Sequence, residues 1–156
     1  MEAKVIWQGG MKLDGLADSG LHLPLGSRPA GDGDDQGFLP MELLATGLAG
    51  CTAMDVISIL QKKGQDVTGF EVQVHIQRAP EHPRVFTHAL IEYFVTGRRV
   101  DEAAVVRSIE LSATRFCPAL AMFKKVFSIE MKYHVFEAGD DDKRQLVKSG
   151  EYAYPV

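Results

Sequence analysis

The chain of 156 residues is predicted to adopt an α+β fold with mostly antiparallel sheet, and two observations carry that expectation. Strand-like segments follow strand-like segments and helical ones follow helical ones, in the order strands, long helix, two strands, helix pair, strand. A doubly wound sheet would instead alternate them one by one. The strands also alternate apolar and polar residues, as a sheet does when one face lies on a core.

The opening KVIWQGGMKLDGLA sets a glycine pair between two strand-like runs, Lys4–Gln8 and Met11–Asp14. That pattern predicts a tight hairpin with positive φ at both central positions. HLPLG reads as a third short strand, and SRPAGDGDDQG gathers the Pro, Gly and Asp of an irregular loop. Pro40 then suits the first position of a helix, Glu42 suits the positive end of its dipole, and Gly64 after Lys62 and Lys63 suits its stop. This helix, Pro40 to about Lys63, is small or apolar on nearly every side until Asp55, which predicts burial all round. Its small residues Ala45, Gly47, Ala49, Gly50, Thr52 and Ala53 predict a close neighbour. Glycine there gives up roughly 1 kcal/mol of helix propensity relative to alanine, and a second copy of the chain could be what needs the room.

GFEVQVHIQRA alternates strictly, and RVFTHALIEYFVTG follows it across PEHP, so the two are expected to form an antiparallel hairpin. Asp101 is a plausible N-cap for a second helix with the stripe Ala104, Val105, Ser108, Ile109 and Ser112. That helix must end near Cys117, because Pro118 disfavours helical backbone in the residue before it. Pro118 opens a short third helix, PALAMFKK, and the last strand alternates through Phe127, Ile129, Met131, Tyr133 and Val135. The remainder, 138–156, reads as a tail that starts as a solvated charge run and ends with two tyrosines and a valine; its end could cover a sheet edge, cross to another subunit or stay mobile.

One domain over 1–156 is expected, with N-terminal strands in 1–25 and the central helix in 40–63. A net charge of −4 and 46% hydrophobic residues argue for a globular chain with no nucleic-acid partner. The N-terminus lacks a charged and then apolar leader, so a cytoplasmic protein without a membrane segment is expected. The histidines, His22, His75, His82, His88 and His134, have no metal-ligand spacing, and no phosphate-binding glycine motif or GxSxG elbow occurs. No metal and no cofactor is therefore predicted.

Two cysteines, Cys51 and Cys117, remain as chemical candidates. In a reducing compartment they are either inert core residues or a working redox pair. Asp55, one turn beyond Cys51, disfavours a thiolate there, whereas a helix N-terminus at Pro118 would favour one at Cys117. Arg115 is near Cys117 in sequence, but spacing does not say where it points. Glu42 lies nine residues before Cys51, about 180° round the helix and ~13.5 Å along it, so it cannot serve Cys51 of its own chain. It could reach the thiol of an antiparallel partner helix, or simply satisfy its own helix dipole.

PMELLATGLAGCTAMDVISILQKKGQDV and LSATRFCPAL together resemble the OsmC/Ohr family, most closely its YhfA-like branch. The likeness runs from Lys4 to about Val135 and includes GFLPMELL and VFTHALIEYFVTG. It implies an intertwined homodimer with sheets wrapped around two central helices. It also implies antioxidant chemistry in which Cys51 attacks an organic hydroperoxide, Cys117 resolves it as a disulfide and a dithiol reductant restores both. By the same resemblance Glu42 matches an acid placed near the partner's thiol site. Arg28 lies in the loop from which the hydroperoxidases draw an arginine, either filling that role or standing as an exposed charge. Leu44, Leu48, Met54, Met122 and Phe123 would form an apolar lining suited to a greasy peroxide. The alternative is a non-catalytic dimer of the same fold that binds a small apolar molecule or senses redox state.

Overall fold

A computed structural model of the chain describes residues 1–27, 37–139 and 143–153. These divide into two compact units, Met1–Ala45 and Thr46–Val156.

The first unit is an antiparallel sheet of β1 (Ala3–Gly9), β2 (Lys12–Ala17) and β3 (His22–Leu25) in that order. The glycine pair turns as expected, Gly9 at φ +102° and Gly10 at φ +56°, and Trp7 faces Leu13 across the hairpin. β2 runs on to Ala17, beyond the expected end at Asp14. Gly15 does not break the strand because it is where β3 comes close: a Cβ there would lie 3.4 Å from the Leu23 carbonyl. The first turn of α1 (Pro40–Lys62) also belongs to this unit.

In the second unit α1 continues to Lys62 and ends in a paired-bond cap. The Gly64 N–H donates to Gln61 O (2.9 Å) and the Gln65 N–H to Leu60 O (3.1 Å), with Gly64 at φ +69°. The expected burial all round is not what one chain provides. Only the i, i+4 stripe Leu48, Thr52, Val56 and Leu60 is buried, and Met54 on the opposite side is 74% exposed. The chain's own core can cover one stripe of a helix, not its circumference. By length and composition α1 could cross a bilayer, with mean hydropathy 1.8 over an 18-residue stretch, but its buried stripe packs on protein.

The sheet of this unit has the order β4 (Asp66–Arg78), β5 (Phe86–Arg98), β6 (Ser128–Ala138) and β7 (Arg144–Tyr152). β4 and β5 form the expected hairpin, whereas β5 and β6 are parallel and are joined through the helices. The inward residues Ile91, Tyr93 and Val95 of β5 and Met131, Tyr133 and Val135 of β6 line the core, against Leu48, Val56 and Leu60 of α1. Of the alternatives open for the tail, β7 takes the sheet edge. It pairs antiparallel with β6 from Met131↔Tyr152 to Ala138↔Arg144. Most of its residues are exposed, so as an edge strand its hydrogen bonds are made by backbone and leave no alternating apolar signature.

α2 (Glu102–Leu111) begins as expected, with Asp101 accepting from the Ala103 N–H, and buries Ala104, Val105, Ser108 and Ile109. It does not run smoothly to Cys117. Residues Ser112–Phe116 form a π turn, closed by a bond from the Cys117 N–H to Ser112 O (2.9 Å), and α3 (Pro118–Phe123) follows.

Candidate functional site

Both cysteines belong to the second unit, and the fold brings them together. Cys51 sits on α1 at the edge of the buried stripe, half-buried, packed on the core that contains Cys117. Cys117 is 3% exposed and caps α3, with φ −76° and ψ 105°, the extended backbone that Pro118 demands. Both are free thiols, and Cys51 lies close enough to Cys117 to help push its pKa up.

The ionisation of Cys117 departs from the expectation drawn from its helix N-terminus. Burial pushes the thiol from 9.0 up to about 12, and the contact with Cys51 pushes in the same direction. The N–H groups of Leu120, which reaches Sγ at 3.4 Å, and Ala119 pull the other way and lose. α3 has only 6 residues, so its end carries little field, while desolvation acts on the whole thiolate.

Beneath the thiols runs a chain of hydroxyls that periodicity alone does not reveal. Thr52 Oγ1 lies 2.7 Å from Tyr93 Oη and 3.0 Å from Ser112 Oγ, and Ser112 Oγ donates to Asp55 Oδ2 at 3.1 Å. Each hydroxyl has one proton. With that of Ser112 directed at Asp55, Thr52 donates to Ser112 and Tyr93 donates to Thr52. Thr52 and Ser112 are fully buried, so these bonds are made away from water. Thr52 in an otherwise apolar buried stripe next to Cys51, and Ser112 five residues before Cys117, are the sequence signal that could have found them.

The other candidates are distributed differently. Glu42 is in the first unit, exposed, and its Oε2 accepts from the Leu39 N–H at 3.1 Å, a cap on its own helix. Arg115 lies over the Phe116 ring, 5.8 Å from its centroid, so it is not directed at the thiol by any contact the fold makes. Arg28 lies outside the described residues. Of the expected lining, Leu48 is buried, Phe123 is half-buried and stacks on Phe127, and Leu44, Met54 and Met122 are exposed. No group of three or more His, Cys, Asp or Glu among the described residues is arranged to hold a metal ion.

A mixed-sheet α+β chain that brings a free thiol on a long helix and one at a π-turned helix end onto the same core is a dithiol protein in its architecture. Residues 32–132 match the family described as OsmC-like protein. The chain is 38% identical over 138 residues to protein YhfA of Escherichia coli K12, covering 88% of this chain and all of that one. The structure is also similar to that of a hypothetical protein from Aquifex aeolicus, with TM-score 0.77 and 25% identity over 88% of this chain and 97% of that one. It is similar in fold to the organic hydroperoxide resistance protein OhrB of Bacillus subtilis, with TM-score 0.57 and 19% identity over 85% and 98% of the two chains. The chain belongs to the OsmC-like family.

The buried Cys117 has a measurable pH consequence. Its folded-state pKa is above the unfolded one, so its contribution to stability is complete below about pH 9 and is lost as pH rises toward about 12. Urea unfolding should show wild type losing about 2 kcal/mol more than Cys117→Ala between about pH 8 and about pH 10.5. Parallel losses in the two proteins would mean the thiol is not held in its neutral form.

Proposed function

We propose that the chain is a homodimeric thiol peroxidase that reduces organic hydroperoxides through Cys51 and Cys117. The observation that carries this reading is that the two free thiols stand on one core, Cys51 packed against the cluster that contains Cys117. The Cys51 thiolate attacks the terminal peroxide oxygen, the O–O bond breaks and the alcohol leaves after taking a proton, which leaves Cys51 as a sulfenic acid. The Cys117 sulfur then attacks the Cys51 sulfur. Its own proton goes to the departing hydroxide, giving water and a disulfide; because the thiolate is the nucleophilic form, the raised pKa makes this proton transfer part of the attack itself. A dithiol reductant returns two electrons and two protons and is itself oxidised to a disulfide.

The half-buried position of Cys51, one turn before the exposed Met54 on α1, favours an apolar hydroperoxide, and the hydroperoxide resistance protein that shares the fold supports the same substrate class. Glu42 of one subunit and Arg28 are proposed to tune the thiol site. The burial of Cys117 favours the second reading, in which the same dimer senses redox state without turnover.

The dimer reading draws on α1. Gly47, Gly50 and Met54 recur at i, i+3 and i+7 on an exposed face, and a Cβ built at Gly47 or Gly50 meets no described atom within 4 Å. Among the described residues no neighbour needs the missing side chains, and a second α1 would.

Wild type with a dithiol such as dihydrolipoamide should consume cumene hydroperoxide catalytically. Cys51→Ser should abolish consumption, and Cys117→Ser should stall after about one equivalent. No consumption by fully reduced wild type would contradict the reading. Gly47→Ala, which by propensity alone stabilises a lone helix by roughly 0.5–1 kcal/mol, should instead weaken self-association in sedimentation velocity. A wild-type monomer, or an unchanged association constant in the variant, would contradict the dimer.

A further inference from the structure

We infer that Thr52 and Ser112 are positioning residues for the thiol pair, holding Cys51 and Cys117 in disulfide-forming register through one buried hydrogen bond. The inference rests on the proposed Cys51/Cys117 redox pair and adds to it the part of the fold that sets its geometry.

Cys51 and Cys117 stand on different elements, α1 and the junction of the π turn with α3. The geometry a disulfide accepts is narrow, so small sliding between those elements decides whether the bond forms easily. The direct tie between them runs through hydroxyls. Thr52 follows Cys51 in the chain, its Oγ1 meets Ser112 Oγ at 3.0 Å, and the Ser112 carbonyl accepts the Cys117 N–H at 2.9 Å. That last bond is the i to i−5 bond of the π turn, so Ser112 touches both the helix carrying one cysteine and the backbone carrying the other.

The tie is braced at both ends. Tyr93 on β5 meets Thr52 at 2.7 Å, and Asp55, one turn beyond Cys51 on α1, receives the Ser112 proton at 3.1 Å. Ser112 is therefore bonded to α1 at two points a turn apart, which resists rotation as well as translation of the π turn. An apolar pair of the same volume would pack as well but would leave the elements free to slide, because dispersion contacts are not directional. Neither residue reaches a reacting atom by this route; both act through the cysteines.

The test uses full-length protein equilibrated against mixtures of reduced and oxidised glutathione. In forming the Cys51–Cys117 bond the two thiols give up two electrons and two protons, and one glutathione disulfide takes them to become two glutathione thiols. Thr52→Val and Ser112→Ala should each lower the equilibrium constant for the intramolecular disulfide at least about tenfold, while Thr52→Ser, which keeps the hydroxyl, should stay within about threefold of wild type. Circular dichroism and a melting curve establish that each variant is folded, and Ser112→Ala carries the test if Thr52→Val is not. A wild-type constant in both folded hydroxyl deletions would overturn the positioning role while leaving the redox pair intact. So would Thr52→Ser behaving like Thr52→Val. Loss of the folded state in both deletions would overturn it too, since the bonds would then hold the fold rather than the thiols. A wild type that forms no Cys51–Cys117 disulfide at any glutathione ratio would overturn the redox pair and the positioning role together.

Discussion

Burial of the stripe Leu48, Thr52, Val56 and Leu60 decides what the rest of α1 can do. Covering Leu48, Val56 and Leu60 contributes roughly 1.5–3 kcal/mol for each side chain, enough to fix the rotation of the helix about its axis. With that rotation set, Thr52 points into the core, Cys51 falls at its edge and Gly47, Gly50 and Met54 face outward. A glycine-bearing apolar face and a half-buried thiol are thus two consequences of one packing choice.

The same choice makes the polar interior necessary. Thr52 in a buried stripe has a hydroxyl that must be paired, since an unpaired one would cost about 1–3 kcal/mol. Tyr93 and Ser112 pair it, and no buried side-chain nitrogen or oxygen among the described residues is left without a partner. At the Cys117 end the competition is electrostatic. Desolvation of the thiolate outweighs the amides of the short helix α3, so the Cys117 thiol is held in its protonated form.

Much of this architecture was legible in the sequence because it is local. Pro40, Gly64, the Gly9–Gly10 turn, the Asp101 cap and the extended Cys117 before Pro118 each announce a backbone conformation that the residue itself dictates. The stripe Ala104, Val105, Ser108 and Ile109 followed from period alone. What escaped depends on partners distant in the chain. β7 is held by β6 and needs no apolar side chains of its own, and the π turn answers to α1 through Ser112. The all-round apolar pattern of α1 says that something covers the helix and not that the same chain does. The pKa of Cys117 was misjudged in direction, since dipole and desolvation oppose each other there and only the packed structure weighs them.

The most direct measurement follows the oxygen transfer to its covalent product. Reduced protein is treated with one equivalent of cumene hydroperoxide, quenched in acid, alkylated and digested, and its peptides are weighed. The account predicts that peptides carrying Cys51 and Cys117 are recovered joined by a disulfide, lighter by two hydrogens than the separate thiols. Both cysteines recovered as alkylated thiols, or Cys51 oxidised with Cys117 still free, would contradict it.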